Sequence, residues 1–387
     1  MKSNKWLLPI ILLFSFSILS SLAYFTFAAS YQSTDWLERY QNTMEKEALR
    51  LASEISDIVS SPQYSVDAVE EHFIEQGLPV LDSQAYCPSW LANPVHVYSF
   101  WEKVQSGKDA ELKYLSVYKN GILNYTALHY QNNVGTYVCA CIDWDDQNKP
   151  FVSMWETHTI QDMELSENGN FYYRIRPAND KHYVDYCMLR LEQPDPELWQ
   201  MTNRYICPIG YYSVNIFLCD WDEQNYGELS LTDLLEYLYL MEHNETLPYE
   251  KYPSVPVEES FLVPASIFER TILSHFRISK DLLHQRCRYN ADDNSYPWTP
   301  FYTNDAVQYW FPYVEPEVIA KRDNPDGTFT LTVNVGSADL KADTVFVHEV
   351  TIRPTGNTGF QYVSNRIVSQ TEYGMPNKQP RSFYRNK

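Results

Sequence analysis

The chain has 387 residues, room for two domains with real cores, and its 44% hydrophobic content excludes a disordered or low-complexity protein. Fifty acidic against thirty basic residues give a net charge of -20, which excludes a surface built for the phosphate backbone of nucleic acid. Only 12 glycines, with no G-x-G-x-x-G and no phosphate loop among them, leave no nucleotide cradle.

Lys2 and Lys5 precede an uncharged run from Trp6 to Ser30. A positive flank before an apolar stretch is an export signal. At about 24 residues the run exceeds the apolar core of an ordinary cleaved peptide and would cross a hydrocarbon layer of ~30 Å. It reads as an uncleaved signal anchor (1–30) with an exported body behind it. Cleavage near Ala28 and Ser30, giving a secreted protein, is the alternative.

Leu37, Tyr40, Met44, Ala48, Leu51, Ile55 and Ile58 recur at spacings of three and four, predicting one helix from Ser33 to Ser61, capped by Thr34 and ended by Pro62. This juxtamembrane segment (31–64) has two available partners: its own body, or a copy of itself in a homodimer. A second helix is expected over Val66–Gln76, between a Ser65 cap and Gly77, and a third over Val95–Val104, with Gly107 beyond.

The period then changes. From Glu111 to Glu192 the chain alternates in strand-length segments separated by K-N-G (119–121), Q-N-N-V-G (131–135), D-D-Q-N-K-P (145–150), S-E-N-G-N (166–170) and P-A-N-D-K (177–181). Asn-Gly between alternating runs is a strong hairpin signal, so this is an antiparallel meander of about six strands. Aromatic content, 31 Tyr, 10 Trp and 18 Phe, fits a β-rich fold and also suits half-wet contact faces. Further strands are expected around Arg204–Ile206 and Tyr212–Cys219.

Helix returns at Ser230–Met241, and the proline-punctuated 247–256 is the best connector. Helices Ala265–Phe276 and Lys280–Arg288, the latter capped by Ser279, lead to three strands at 327–335, 344–354 and 359–368. Phe329, Leu331, Val333 and Val335 share one face. The fold class is therefore α+β: an antiparallel β-meander domain (65–229), then a smaller helix-then-sheet domain (230–373) of NTF2-like or cystatin-like order, and a disordered tail (374–387).

Several blocks resemble one family: V-E-E-H-F-I-E-Q-G-L-P-V-L-D-S, Y-Y-R-I-R-P with H-Y-V-D-Y, N-I-F-L-C-D-W-D-E-Q-N-Y-G-E-L-S-L-T-D-L-L-E-Y, and F-V-H-E-V-T-I-R-P with F-Q-Y-V-S-N-R-I. From about Val66 to Glu372 the chain is similar to exported clostridial and related Firmicutes proteins of the domain of unknown function 6070. The resemblance implies a Gram-positive, membrane-associated setting and transfers no functional residues.

Three constellations bear on chemistry. In C-D-W-D-E-Q-N-Y-G-E-L-S-L-T-D (219–233), acidic residues two apart precede a glycine and a helix start, which makes Asp220, Asp222 and Asp233 the candidate calcium ligands. Counted from Asp222, Tyr226 falls at a ligand position it cannot fill, so a polar turn with Ser230 or Thr232 as helix cap is the competing reading. The echo at Asp143–Asp146 has no glycine and reads as a hairpin turn. Seven cysteines, Cys87, Cys139, Cys141, Cys187, Cys207, Cys219 and Cys287, leave at least one unpaired in a monomer. Cys139 and Cys141 share one strand face; they read as two small buried residues, with a redox or metal pair as the alternative. His348 and Glu349 fall on opposite strand faces and cannot share a metal.

No catalytic residues and no cofactor are assigned. The function expected is a non-enzymatic binding or scaffolding module at the cell envelope, anchored by its N-terminal helix, with a protein, peptide or cell-wall glycan as partner. The alternatives are a glycan hydrolase with paired carboxylates and a calcium-stabilised module.

Overall fold

The structure is a computed structural model that describes residues 35–61, 64–81, 90–118, 121–177, 184–255, 260–300, 313–356 and 358–376. The apolar leader, Thr34, Pro62, Cys87 and the tail from 377 lie outside the described residues. Among the described residues, no helix is long and apolar enough to cross a membrane.

Helix α1 (35–54) runs into α2 (Ser56–Val59) through a turn at Ile55. The predicted stripe is real: Met44, Ala48, Leu51 and Ile55 are buried, against a sheet of their own chain. Each such side chain contributes up to about 2 kcal/mol by leaving water. A polar clamp fixes the helix register. Tyr40 Oη donates to Glu111 Oε1 at 2.5 Å, and Lys113 Nζ lies 2.8 Å from Glu47 and 3.1 Å from Glu111.

Helix α3 (Val66–Glu75) follows Ser65, and Gly77 (φ +79°) turns the chain out of it. Strands β1 (Val80–Leu81) and β2 (Leu91–Ala92) precede α4 (Val95–Gln105). Then comes the six-stranded meander: β3 (Ala110–Val117), β4 (Leu123–Gln131), β5 (Val134–Trp144), β6 (Pro150–Leu165), β7 (Asn170–Pro177) and β8 (Asp185–Arg190). The residues expected to turn do so: Asn132, Asn133, Asn148 and Gly169 all have positive φ.

These eight strands form one sheet in the order β2-β1-β3-β4-β5-β6-β7-β8. A bridge from Trp90 to Arg190 joins its two edges, so the sheet is a nearly closed barrel, which removes most of its exposed edge. Its outward residues, Leu115, Val117, Tyr125, Val138 and Ile142, meet α1 and α3. Its inward residues, Leu112, Tyr114, Leu128, Phe171, Tyr173 and Leu189, fill the lumen together with Val97 and Phe100 of α4.

A second core begins after Leu191 and gathers residues from Tyr205 to Tyr362. Helix α5 (Pro196–Met201) opens it, with Asp195 Oδ1 accepting from the N–H groups of Glu197 (2.9 Å) and Leu198 (3.0 Å). That cap, with Pro196 at the first helical position, overturns the strand expected at Arg204–Ile206: the helix runs on into a π-turn at Thr202–Ile206. Residues Tyr212–Cys219, also expected as strand, are irregular turns ahead of the two-residue β9 (Trp221–Asp222). Val214, Ile216, Phe217, Leu218 and Cys219 are all buried, so the run has no solvent face against which to alternate.

Helix α6 (Leu235–His243) follows a 3₁₀ turn at Thr232–Leu234. Neither start carries a side-chain cap, and the Ser230 N–H instead donates to Asn215 Oδ1 at 2.9 Å. Strands β10 (Ser254–Val255), β11 (Ser260–Pro264) and β12 (Ser295–Trp298) form a small sheet around α7 (Ala265–His275) and α8 (Lys280–Arg286). Ser279 caps α8 as expected, accepting from Leu282 N. The chain ends in β13 (Val314–Asp323), β14 (Phe329–Ser337), β15 (Ala342–Thr355) and β16 (Gly359–Gln370), antiparallel in the order β13-β14-β15-β16-β9. The protein is α+β with mostly antiparallel sheets.

Barrel and closing sheet meet in a polar seam. Asp343 Oδ1 accepts from Asn170 Nδ2 (2.7 Å) and Tyr172 Oη (2.8 Å), and Arg190 pairs with Glu317 at 3.3 Å. Burial in this seam pushes the Glu315 carboxyl up to about 8 against the pull of Arg190.

Candidate functional site

Alternation along β14 and β15 sends Phe329, Leu331, Val333, Phe346, Val350 and Ile352 into the core. The opposite face is polar, and antiparallel register lines it up across five strands. Arg322 faces Thr330, Thr330 faces Thr351, Thr351 faces Ser364, and Ser364 faces Asp222. Beside this row, Thr332 faces Glu349, which faces Arg366. The first row, with Glu349 and Arg366 of the second, lines an open groove of about 530 Å³, within the size range of small-ligand sites. Thr330 and Thr351 share a hydroxyl–hydroxyl bond of 3.0 Å, and Glu349 pairs with Arg366 at 2.8 Å.

One end of the groove is the acidic turn. Asp222 Oδ1 accepts from the N–H groups of Gln224 and Asn225, both at 2.8 Å. Asp220 Oδ1 accepts from Ile367 N at 2.7 Å and so ties the turn to β16. Glu223 forms a fork with Arg353, Nη2 to Oε2 at 2.8 Å. Trp221 stacks on Tyr226 and donates from Nε1 to Ile216 O at 2.7 Å. Gly227 has φ +48°, and a Cβ there would stand 3.0 Å from Asp220 O, so glycine is required where the turn folds onto itself.

The calcium expectation rested on Asp220, Asp222 and Asp233. The first two sit at the groove, Asp220 also lining a neighbouring cleft of about 580 Å³. Asp233 is buried in the 3₁₀ turn before α6. Among the described residues, no three or more His, Cys, Asp or Glu side chains gather as metal ligands. In the turn, Asp220 and Asp222 accept from main-chain N–H groups.

The groove floor is held from behind by a buried histidine. His348 is fully buried, on the strand face away from Glu349 as expected. Its Nδ1 donates to Asn365 Oδ1 at 2.7 Å, and its Nε2 accepts from Tyr211 Oη at 2.7 Å. Asn365 Nδ2 then donates to Cys219 O at 2.9 Å. Burial pushes the imidazole down to about 3 despite the Asn365 bond, so the ring is neutral and serves as a bridge between β15, β16 and the irregular 212–219 loop. Asn215 orders that loop, donating to Glu228 O at 2.8 Å. Nothing in the local sequence marks His348 or Asn215 for these roles; their partners lie far off in the chain.

The model of a family of unknown function, DUF6070, covers residues 29–381. The chain belongs to that family. No curated protein and no solved structure matches it. The family boundaries take in helix α1, the barrel, the closing sheet and the groove between β9 and β13.

Proposed function

We propose that the protein is a binding module, held on the outer face of the membrane by its apolar leader, whose groove takes a polar, hydroxyl-rich chain such as a cell-wall glycan. The cross-strand row Arg322–Thr330–Thr351–Ser364–Asp222 carries the reading. It offers hydroxyls, a guanidinium and a carboxylate in a flat ladder, with no exposed aromatic or aliphatic anchor of the kind that dominates protein interfaces. The disulfide at Cys207 is one that an exported body would keep.

The hydrolase alternative fits this groove less well. Glycoside cleavage needs one carboxyl free to donate a proton. Here Glu349 is paired with Arg366 and Asp222 is occupied by two N–H donors.

Titrating full-length protein in detergent with soluble cell-wall glycan fragments in a calorimeter tests the reading. Binding should be seen, at least tenfold weaker for Ser364→Leu and Arg322→Ala, with the fragments recovered uncut. Absence of heat with every fragment removes the glycan reading, and shortened fragments would install the hydrolase.

A further inference from the structure

Strand β16 is covered along only part of its outer edge. β9 pairs with it at Ser364 and Asn365, and among the described residues no strand lies beside Arg366–Gln370. An unpaired strand edge is a template for another chain, so folded proteins cover or blunt it. The Asp220 carboxylate stands in for a neighbouring strand at one position, accepting from Ile367 N at 2.7 Å. Beyond that bond lies the cleft of about 580 Å³, walled by Asp220, Glu228, Val368, Ser369, Gln370 and Met375.

The wall of this cleft has a definite chemistry. Val347 faces Ser369 and His348 faces Ile367, so Val368 is the extra residue of a bulge. Its side chain is 47% exposed, and Met375 beside it is only partly buried. Two apolar side chains and two carboxylates suit an occupant that is positively charged and carries aromatic rings.

The chain holds such a segment, and it starts at the cleft. After β16, Thr371 N donates to Val345 O at 2.9 Å, and Gly374, at φ +72°, donates its N–H to Thr371 O at 3.1 Å. This turn brings Met375 back to the cleft wall. The sequence from 377 to 387 is N-K-Q-P-R-S-F-Y-R-N-K. It has Lys378, Arg381, Arg385 and Lys387, no acidic residue, and two adjacent aromatics, Phe383 and Tyr384, on a chain whose net charge is -20. Asn377 to Tyr384 reaches up to about 26 Å when extended, enough to cross the ~10 Å of wall from Ile367 to Gln370 and fold back.

We propose that residues 377–387 dock in this cleft on their own chain and cover the open edge of β16. Their basic side chains meet Asp220 and Glu228, and Phe383 and Tyr384 pack against Val368 and Met375. The charges attract one another at a wet surface, so the cover is tightest at low salt and loosens as salt screens it.

The test treats full-length protein in detergent with a carbodiimide, which joins a lysine amine directly to a carboxylate, and maps the linked peptides. Lys378 or Lys387 should be joined to Asp220 or Glu228 at low salt. The yield should fall at least fivefold in 1 M salt and in Val368→Arg, which places a repelling cation on the wall at a half-exposed position. The Lys113–Glu47 link, from a pair 2.8 Å apart, should form equally in wild type and variant, showing that the fold is kept. A mixture of isotope-labelled and unlabelled protein should give tail links within one chain. Absence of any tail link to the two carboxylates, tail links to Asp222 or Glu349 of the groove instead, or an unchanged yield in Val368→Arg would overturn the proposal. Links joining a labelled to an unlabelled chain would overturn it in favour of the tail of a second copy.

Discussion

The barrel and the closing sheet solve the same problem, an antiparallel sheet with one apolar face, in opposite ways. The barrel curls until Trp90 meets Arg190, so its apolar and phenolic face looks inward on itself, and helices α1 and α3 cover part of the outside. The five-stranded sheet stays open. Helices and the irregular 205–231 segment cover one face, and the other is left polar and reachable. Closure makes a rigid container; openness makes a groove.

Core truncations should separate the two regions most sharply. Phe171 and Phe346 are both fully buried, one in the lumen and one under the open sheet. Phe171→Ala should cost about 4 kcal/mol and Phe346→Ala about 3, because a closed wall collapses less readily around a cavity. Urea unfolding of both variants measures this, and an equal or reversed order would break the comparison.

Acid should strike the open sheet first. The His348 pKa is depressed to about 3, so the folded state refuses a proton that the unfolded state accepts below ~6.5. Stability should then fall by about 1.4 kcal/mol for each pH unit between those values. Glu111 in the helix clamp is affected later. Burial pushes it up, but His129, Tyr40 and Lys113 outweigh that and hold it at about 2. Its contribution is present above the ordinary carboxylate range and is lost as pH falls toward 2. Hydrogen exchange followed from neutral to acid pH should show the closing sheet opening before helix α1 releases; the reverse order would contradict both assignments.

The seam between the regions has the opposite sign. Glu315 is raised to about 8, so ionisation of the unfolded chain above ~4.5 draws stability away as pH rises toward 8. Glu315→Gln should therefore raise stability by up to about 4 kcal/mol at pH 8 and by little near pH 4.5. Melting temperatures at the two pH values check it, and a pH-independent change would remove the carboxyl from this role. Smallest of all, Ser364→Ala on the groove should move stability by no more than about 0.5 kcal/mol in thermal unfolding, since it fills no core space. A larger loss would make the groove floor part of the framework.

Much of this architecture was legible along the chain. The stripe of α1, the limits of α3 and α4, the six meander strands with their Asn and Gly turns, and the alternation of β14 all follow from local periodicity and turn chemistry, which neighbouring residues decide. The segments 204–206 and 212–219 differ from expectation for separate reasons. The first continues the helix that Asp195 and Pro196 start, and in the second Ser213 to Cys219 are buried on every side, where tertiary packing overrides strand propensity. β13 was missed because Val314–Asp323 mixes proline and charges, and its pairing comes from β14. At the site, Asp220 and Asp222 were singled out from their spacing. Arg322, Thr330, Thr351 and Ser364 were not, since no sequence window holds them together.

Alone, the sequence determined an α+β chain with two lysines ahead of an apolar run, a helix that seeks an apolar partner, and two same-facing thiols, because those properties depend on residues within a turn or two of each other. Only the tertiary structure decided that α1 lies on its own barrel, that the barrel closes, and that five polar residues from five strands make one groove. Register between distant strands sets those outcomes, and it comes from packing the whole core at once.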